Sequence, residues 1–75
     1  MAELVRYIAR SLVEKPDAVD VREVETADSI VIELRVDADD MGKVIGKQGR
    51  IAKAIRTVVK AASVNSPKPV FVEII

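Results

Sequence analysis

The chain has 75 residues with 12 basic and 12 acidic side chains, 49% hydrophobic residues, and neither cysteine nor histidine. A chain this short forms one domain that buries only about 60% of its unfolded surface, which leaves a modest core and no space for a walled catalytic pocket. Without thiols or imidazoles, disulfides, the common zinc sites and Cys- or His-based nucleophile chemistry are excluded. The expectation is therefore a single domain over residues 1–75 that is not an enzyme and holds no catalytic residue, cofactor or metal.

Between Ala2 and about Glu14, apolar residues fall at Leu4, Val5, Ile8, Ala9, Leu12 and Val13, the spacing of a helix with one buried stripe. Pro16 ends it, because proline disfavours helical geometry in the residue before it. Tyr7 and Arg10 lie off the stripe and read as ordinary solvated residues. Charge interrupts this segment every few residues, and no apolar run in the chain approaches the roughly 20 residues needed to cross a bilayer. A soluble cytoplasmic protein with no membrane partner is expected.

Residues 18–26 alternate at Val19 and Val21 and then slip phase at Val24, which predicts a strand with a bulge near Arg22-Glu23 or a strand that turns its other face inward. Thr26-Ala27-Asp28-Ser29 is suited to a hairpin connection. Residues 30–37 place Ile30, Ile32, Leu34 and Val36 on one face and Glu33, Arg35 and Asp37 on the other, the cleanest strand pattern in the chain. A short helix follows, with Asp39 or Asp40 expected to cap it. Asp37, Asp39 and Gly42 also match the first half of a calcium loop. Its fifth and twelfth positions would be Met41 and Gln48, which cannot ligate as that loop requires, so calcium is dropped.

The run Val44-Ile45-Gly46-Lys47-Gln48-Gly49-Arg50-Ile51 predicts a helix, a tight Gly-x-x-Gly loop and a second helix from about Gly49 to Ala62 or Ser63. Glycine tolerates positive φ and has no side chain to block an approaching backbone. The first amides of the following helix lack intrahelical partners and carry partial positive charge, so a phosphate is the natural guest. Lys47 and Arg50, with Lys43 before and Lys53 after, surround that point with positive charge. Along the second helix Ile51, Ile55, Val58, Val59 and Ala62 gather on one side, and Arg50, Lys53, Arg56 and Lys60 on the other. Arg56 and Lys60 stand turns away from the loop and read as a solvated face. The last strand, Val70 to Ile75, is apolar on both faces, as for a strand covered on both sides or one that meets another chain.

The neutral total hides a strong polarity. Residues 1–40 carry five basic and eleven acidic side chains, whereas residues 41–72 carry seven basic and no acidic ones. Such asymmetry points to a polyanionic partner, and the balanced total predicts weak, salt-dependent binding. Only Tyr7 and Phe71 are aromatic, too few for a base-stacking platform. A nucleotide-hydrolysing P-loop is unsupported, since no Gly-Lys-Ser/Thr follows.

The glycine run with its flanking Val44, Ile45 and Ile51, extended through Ile55, resembles the signature of the KH domain, whose Gly-x-x-Gly loop clamps single-stranded nucleic acid. The predicted order α-β-β-α-α-β matches the type II form, an α+β fold with a three-stranded sheet and its helices on one face. The run from Gly42 to Arg56 is similar to the KhpA/YlqC family of small bacterial RNA-binding proteins. The resemblance implies a post-transcriptional regulator or RNA chaperone that grips single-stranded RNA, or single-stranded DNA, in an aliphatic groove. It assigns Lys43, Val44, Ile45, Gly46, Lys47, Gln48, Gly49, Arg50, Ile51 and Lys53 to the nucleic-acid contact, with Val44, Ile45 and Ile51 open to either core or base contact. It also implies an alternative role as a protein interaction module, through a homodimer or a heterodimer with a larger Jag/EloR-type KH protein.

Overall fold

The computed structural model describes residues 1–46 and 49–75, and Lys47 and Gln48 lie outside the described residues. Its elements are α1 (Ala2–Leu12), β1 (Asp20–Glu25), β2 (Ile30–Arg35), α2 (Ala38–Ala62) and β3 (Val70–Ile74), with a short 3-10 turn at Pro16–Ala18. The sheet has three strands in the order β1-β2-β3. β2 pairs antiparallel with β1 and parallel with β3. A parallel pair needs a crossover, and α2 supplies it.

Because successive side chains alternate between sheet faces, the register assigns each strand residue a side. Val21 lies opposite Leu34, and Ile32 lies opposite Val72. These four face the helices and form the core with Val5, Ala9, Val19, Val36, Val44, Ala52, Ile55 and Val59. Ile32, Leu34 and Ile55 are fully buried, as the β2 pattern and the helical spacing both require. Ala52 completes the α2 stripe in place of Val58 and Ala62, which are exposed.

The expected bulge near Arg22-Glu23 is absent, since β1 and β2 pair one to one from Asp20↔Arg35 to Glu25↔Ile30. Val24 slips phase for a different reason. It lies on the open face of the sheet opposite Val31, which itself lies opposite Phe71, so the three form an apolar row with no helix over it. Glu23 takes the helix side opposite Ile32 but remains exposed at the sheet edge. The hairpin is closed as anticipated, by the Thr26 amide donating to the Ser29 carbonyl at 2.8 Å. β3 is covered on one side only, with Val72 buried and Phe71 54% exposed.

The start of α2 corrects the expected cap. Asp37, not Asp39 or Asp40, is the N-cap, and its carboxylate accepts the Asp39 amide at 2.9 Å. The region expected to hold helix, loop and helix is assigned as one helical element, Ala38–Ala62. Gly49 nevertheless has φ 68, outside right-handed helical geometry, so the helical segments before and after it are distinct in backbone terms. Counted separately they give the order α-β-β-α-α-β. No described helix is long and apolar enough to cross a membrane.

Candidate nucleic-acid interface

The glycine segment is held in place by an anchor that lies before it. Asp40, at the third position of α2, is 1% exposed and accepts the Glu14 and Lys15 amides, each at 3.0 Å. A buried carboxylate is costly unless its oxygens are satisfied, and here each oxygen takes one backbone donor. The arrangement ties the chain leaving α1 to the first turn of α2. Two ion pairs reinforce it, Lys43 with Glu14 and Lys15 with Asp39, the latter at 2.6 Å. The hydrogen bond to Asp39, and then the charge of Asp37, raise the Lys15 pKa above its ordinary value. Its contribution is thus present through neutral pH and is lost only as alkaline pH passes that raised value, and solvent exposure keeps it small.

The sequence-assigned contact residues divide by exposure. Val44 is fully buried and belongs to the core, while Ile45 is 58% exposed. Ile51 is half-buried and packs against the core. Gly46 and Gly49 are half-buried, and Arg50 and Lys53 are exposed with no ion-pair partner among the described residues. Lys43 is exposed but engaged by Glu14. The assigned Lys47 and Gln48 lie outside the described residues. A Cβ built at Gly42, Gly46 or Gly49 would meet nothing within 4 Å. The glycines are thus not required by packing inside the domain, and the space above them is open.

The division within Val44-Ile45 is testable. Val44→Ala is expected to lose about 2 kcal/mol, from two buried methyl groups and the space they leave, and to lower the melting temperature by about 10 °C. Ile45→Ala is expected to stay within about 0.5 kcal/mol of the parent. Thermal melts by circular dichroism check both.

A groove elsewhere on the domain was not anticipated. A groove of about 560 Å³ runs between the C-terminal half of α2 and β3, lined by Val59, Val64, Val70 and Phe71 with Arg56 and Lys60 among its walls. None of the described glycine-segment residues lines it. Phe71 was legible as apolar, but the opening depends on how α2 crosses β3. Among the described residues no cluster of acidic side chains is arranged to hold a metal ion.

The family model described as KhpA/KhpB, KH domain, matches residues 2–74. The chain belongs to the KhpA/KhpB KH-domain family. Among the relatives, the RNA-binding protein KhpA of Clostridium perfringens is 65% identical over 100% of both chains. That of Caldanaerobacter subterraneus is 63% identical over 100% of both. The KhpA of Aquifex aeolicus is 47% identical, covering 100% of this chain and 95% of that one. Among solved structures, a crystal structure of Era in complex with MgGDPNP and nucleotides 1506–1542 of 16S ribosomal RNA is similar at TM-score 0.61 and 25% identity. The match covers 99% of this chain and 30% of the Era chain. The α+β fold is thus the type II KH fold, and the KhpA/KhpB KH-domain model spans residues 2–74 of it.

Proposed function

We propose that this KhpA/KhpB-family domain binds single-stranded RNA at the Gly46–Gly49 segment, as a cytoplasmic regulator or chaperone of RNA. The observation that carries the reading is the open space over the glycines beside the unpaired Arg50 and Lys53. Three bare glycine positions within one basic stretch let a phosphate backbone come close, and the two free cations hold it by charge. Ile45 and the accessible part of Ile51 offer aliphatic surface to the bases. Relatives named RNA-binding proteins and the RNA in the Era complex support the choice of ligand. The overall charge balance makes the affinity of a lone domain modest and steeply salt-dependent.

A second reading, pairing with another copy or with a larger Jag/EloR-type KH protein, is favoured by the apolar α2–β3 groove and the unpaired outer edge of β3. The two readings are compatible, because a dimer would present two glycine segments to one strand and raise avidity.

The test is fluorescence anisotropy of a labelled single-stranded RNA against the parent and the variant Lys47→Asp, Gln48→Asp, with single-stranded DNA as competitor. Two negative charges between the glycines are expected to weaken binding about tenfold at low salt, with a smaller difference at high salt. The circular dichroism spectrum should not change. Equal binding by parent and variant, or binding by neither, would overturn the clamp and leave pairing, measured by light scattering, as the role of the domain.

A further inference from the structure

The outward face of α1 carries a feature that the glycine segment does not explain. Tyr7 is 73% exposed. It lines a depression of about 290 Å³ together with Glu3, Arg6, Arg10 and Ser11. Helical spacing brings these residues together, since positions three and four apart are neighbours on a helix surface. An exposed tyrosine alone would mean little. Here its neighbours are two arginines, held in unlike ways.

Arg6 is committed to the protein, donating from Nη1 to Glu3 Oε1 at 2.5 Å and from Nη2 to the Val21 carbonyl at 3.5 Å. That pairing offsets the one acid in the patch. Arg10 is exposed and has no ion-pair partner among the described residues, so the patch keeps one net positive charge. An aromatic face beside a free guanidinium matches a nucleotide, with the base stacked on the ring and its phosphate on the cation. A peptide would need a run of backbone or apolar partners, and this patch offers neither.

We infer that Tyr7 and Arg10 form an auxiliary stacking site on α1 for a base and phosphate of the same single-stranded RNA that the glycine segment holds. The inference rests on the RNA-binding reading above. The two sites belong to elements that are tied together, because Glu14, just beyond α1, pairs with Lys43, one turn before Gly46. Counted as helical rise along the path through Glu14 and Lys43, the separation from Tyr7 to the glycine segment is at most on the order of 25 Å. A strand spans that distance with about seven nucleotides at a stacked spacing of about 3.4 Å. Tyr7 thereby extends an otherwise aliphatic binding surface with a ring that accepts any base.

The composition provides a direct reporter. Tyr7 is the sole tyrosine and the chain has no tryptophan, so the intrinsic tyrosine emission comes from this ring alone. The experiment titrates the whole protein with an oligouridylate of about twelve nucleotides, a length within the range single-strand modules occupy. Tyrosine emission and the anisotropy of end-labelled RNA are followed in parallel. Emission is expected to fall by about half in step with the anisotropy, as stacking quenches the ring. Tyr7→Ala is expected to weaken binding about tenfold, and Tyr7→Phe, which keeps the ring, to bind within about twofold of the parent. RNA that binds without moving the emission, with Tyr7→Ala equal to the parent, overturns the stacking site and leaves the glycine clamp standing; it would assign the Tyr7 patch to a protein partner or to solvent. Absence of any RNA binding at low salt overturns both. The emission arm needs no variant, so a folding defect in Tyr7→Ala would not spare the inference.

Discussion

Asp40→Ala is expected to be among the most damaging single changes outside the apolar core. The parent carboxylate is 1% exposed and takes one backbone amide on each oxygen. Hydrogen bonds to a charged group contribute about 1.5–3 kcal/mol each, and their removal leaves the Glu14 and Lys15 amides without the acceptors around which that connection is built. Water reaches part of this segment and offsets some of the loss, so the net effect is about 2–3 kcal/mol. A domain this small has only about 4–11 kcal/mol in total. The melting temperature should drop by about 10–20 °C, and the denaturant midpoint should fall with it. Asp40→Asn keeps one carbonyl acceptor but turns an NH2 group toward the other amide, so it should lose less, about 1–2 kcal/mol. Equal stability of Asp40→Ala and the parent would mean that the tie between α1 and α2 contributes nothing.

That anchor also shows where sequence reasoning stops. Three acids within four residues, Asp37, Asp39 and Asp40, all suit a helix N-terminus, and local chemistry cannot rank them. Asp37 takes the cap, which leaves Asp40 surplus, and a surplus acid at the helix start is the only hint of a tertiary partner 26 residues away. By contrast, the two faces of β2 were readable, since a strand with one buried face writes its register into alternate residues, although the strand expected over 30–37 ends at Arg35 because Asp37 turns to cap α2. Val24 misled because alternation reports which side a residue takes and says nothing of whether that side is covered. The sheet's open face carries Val24, Val31 and Phe71 in one row, an apolar pattern that looks like core in one dimension. Val44 and Ile45 were undecidable for a related reason. Adjacent helical positions point about 100° apart, and only the placement of α2 on the sheet determines which of them is buried.

The glycines separate stability from binding most sharply, and three alanine substitutions are expected to differ in sign. Gly42 and Gly46 lie in α2 with ordinary helical φ and nothing within 4 Å of an added Cβ. Alanine there should stabilise the free domain by about 0.5–1 kcal/mol each, through helix propensity and lower unfolded-chain entropy. Gly49 has equal space but φ 68, so alanine costs about 1–2 kcal/mol in backbone strain alone. The double variant Gly46→Ala, Gly49→Ala should therefore melt within several degrees of the parent. Its RNA affinity should behave differently. Two methyl groups would stand in the space through which a phosphate backbone must approach, and the loss of two charge-assisted contacts amounts to about 3 kcal/mol, or roughly a hundredfold. Melts and anisotropy on the same preparation read both effects. A double variant that binds RNA as the parent does would show that the glycines leave room nothing uses. Binding lost with the fold intact would mean that the helix gives up stability at Gly46 to keep its backbone open to RNA.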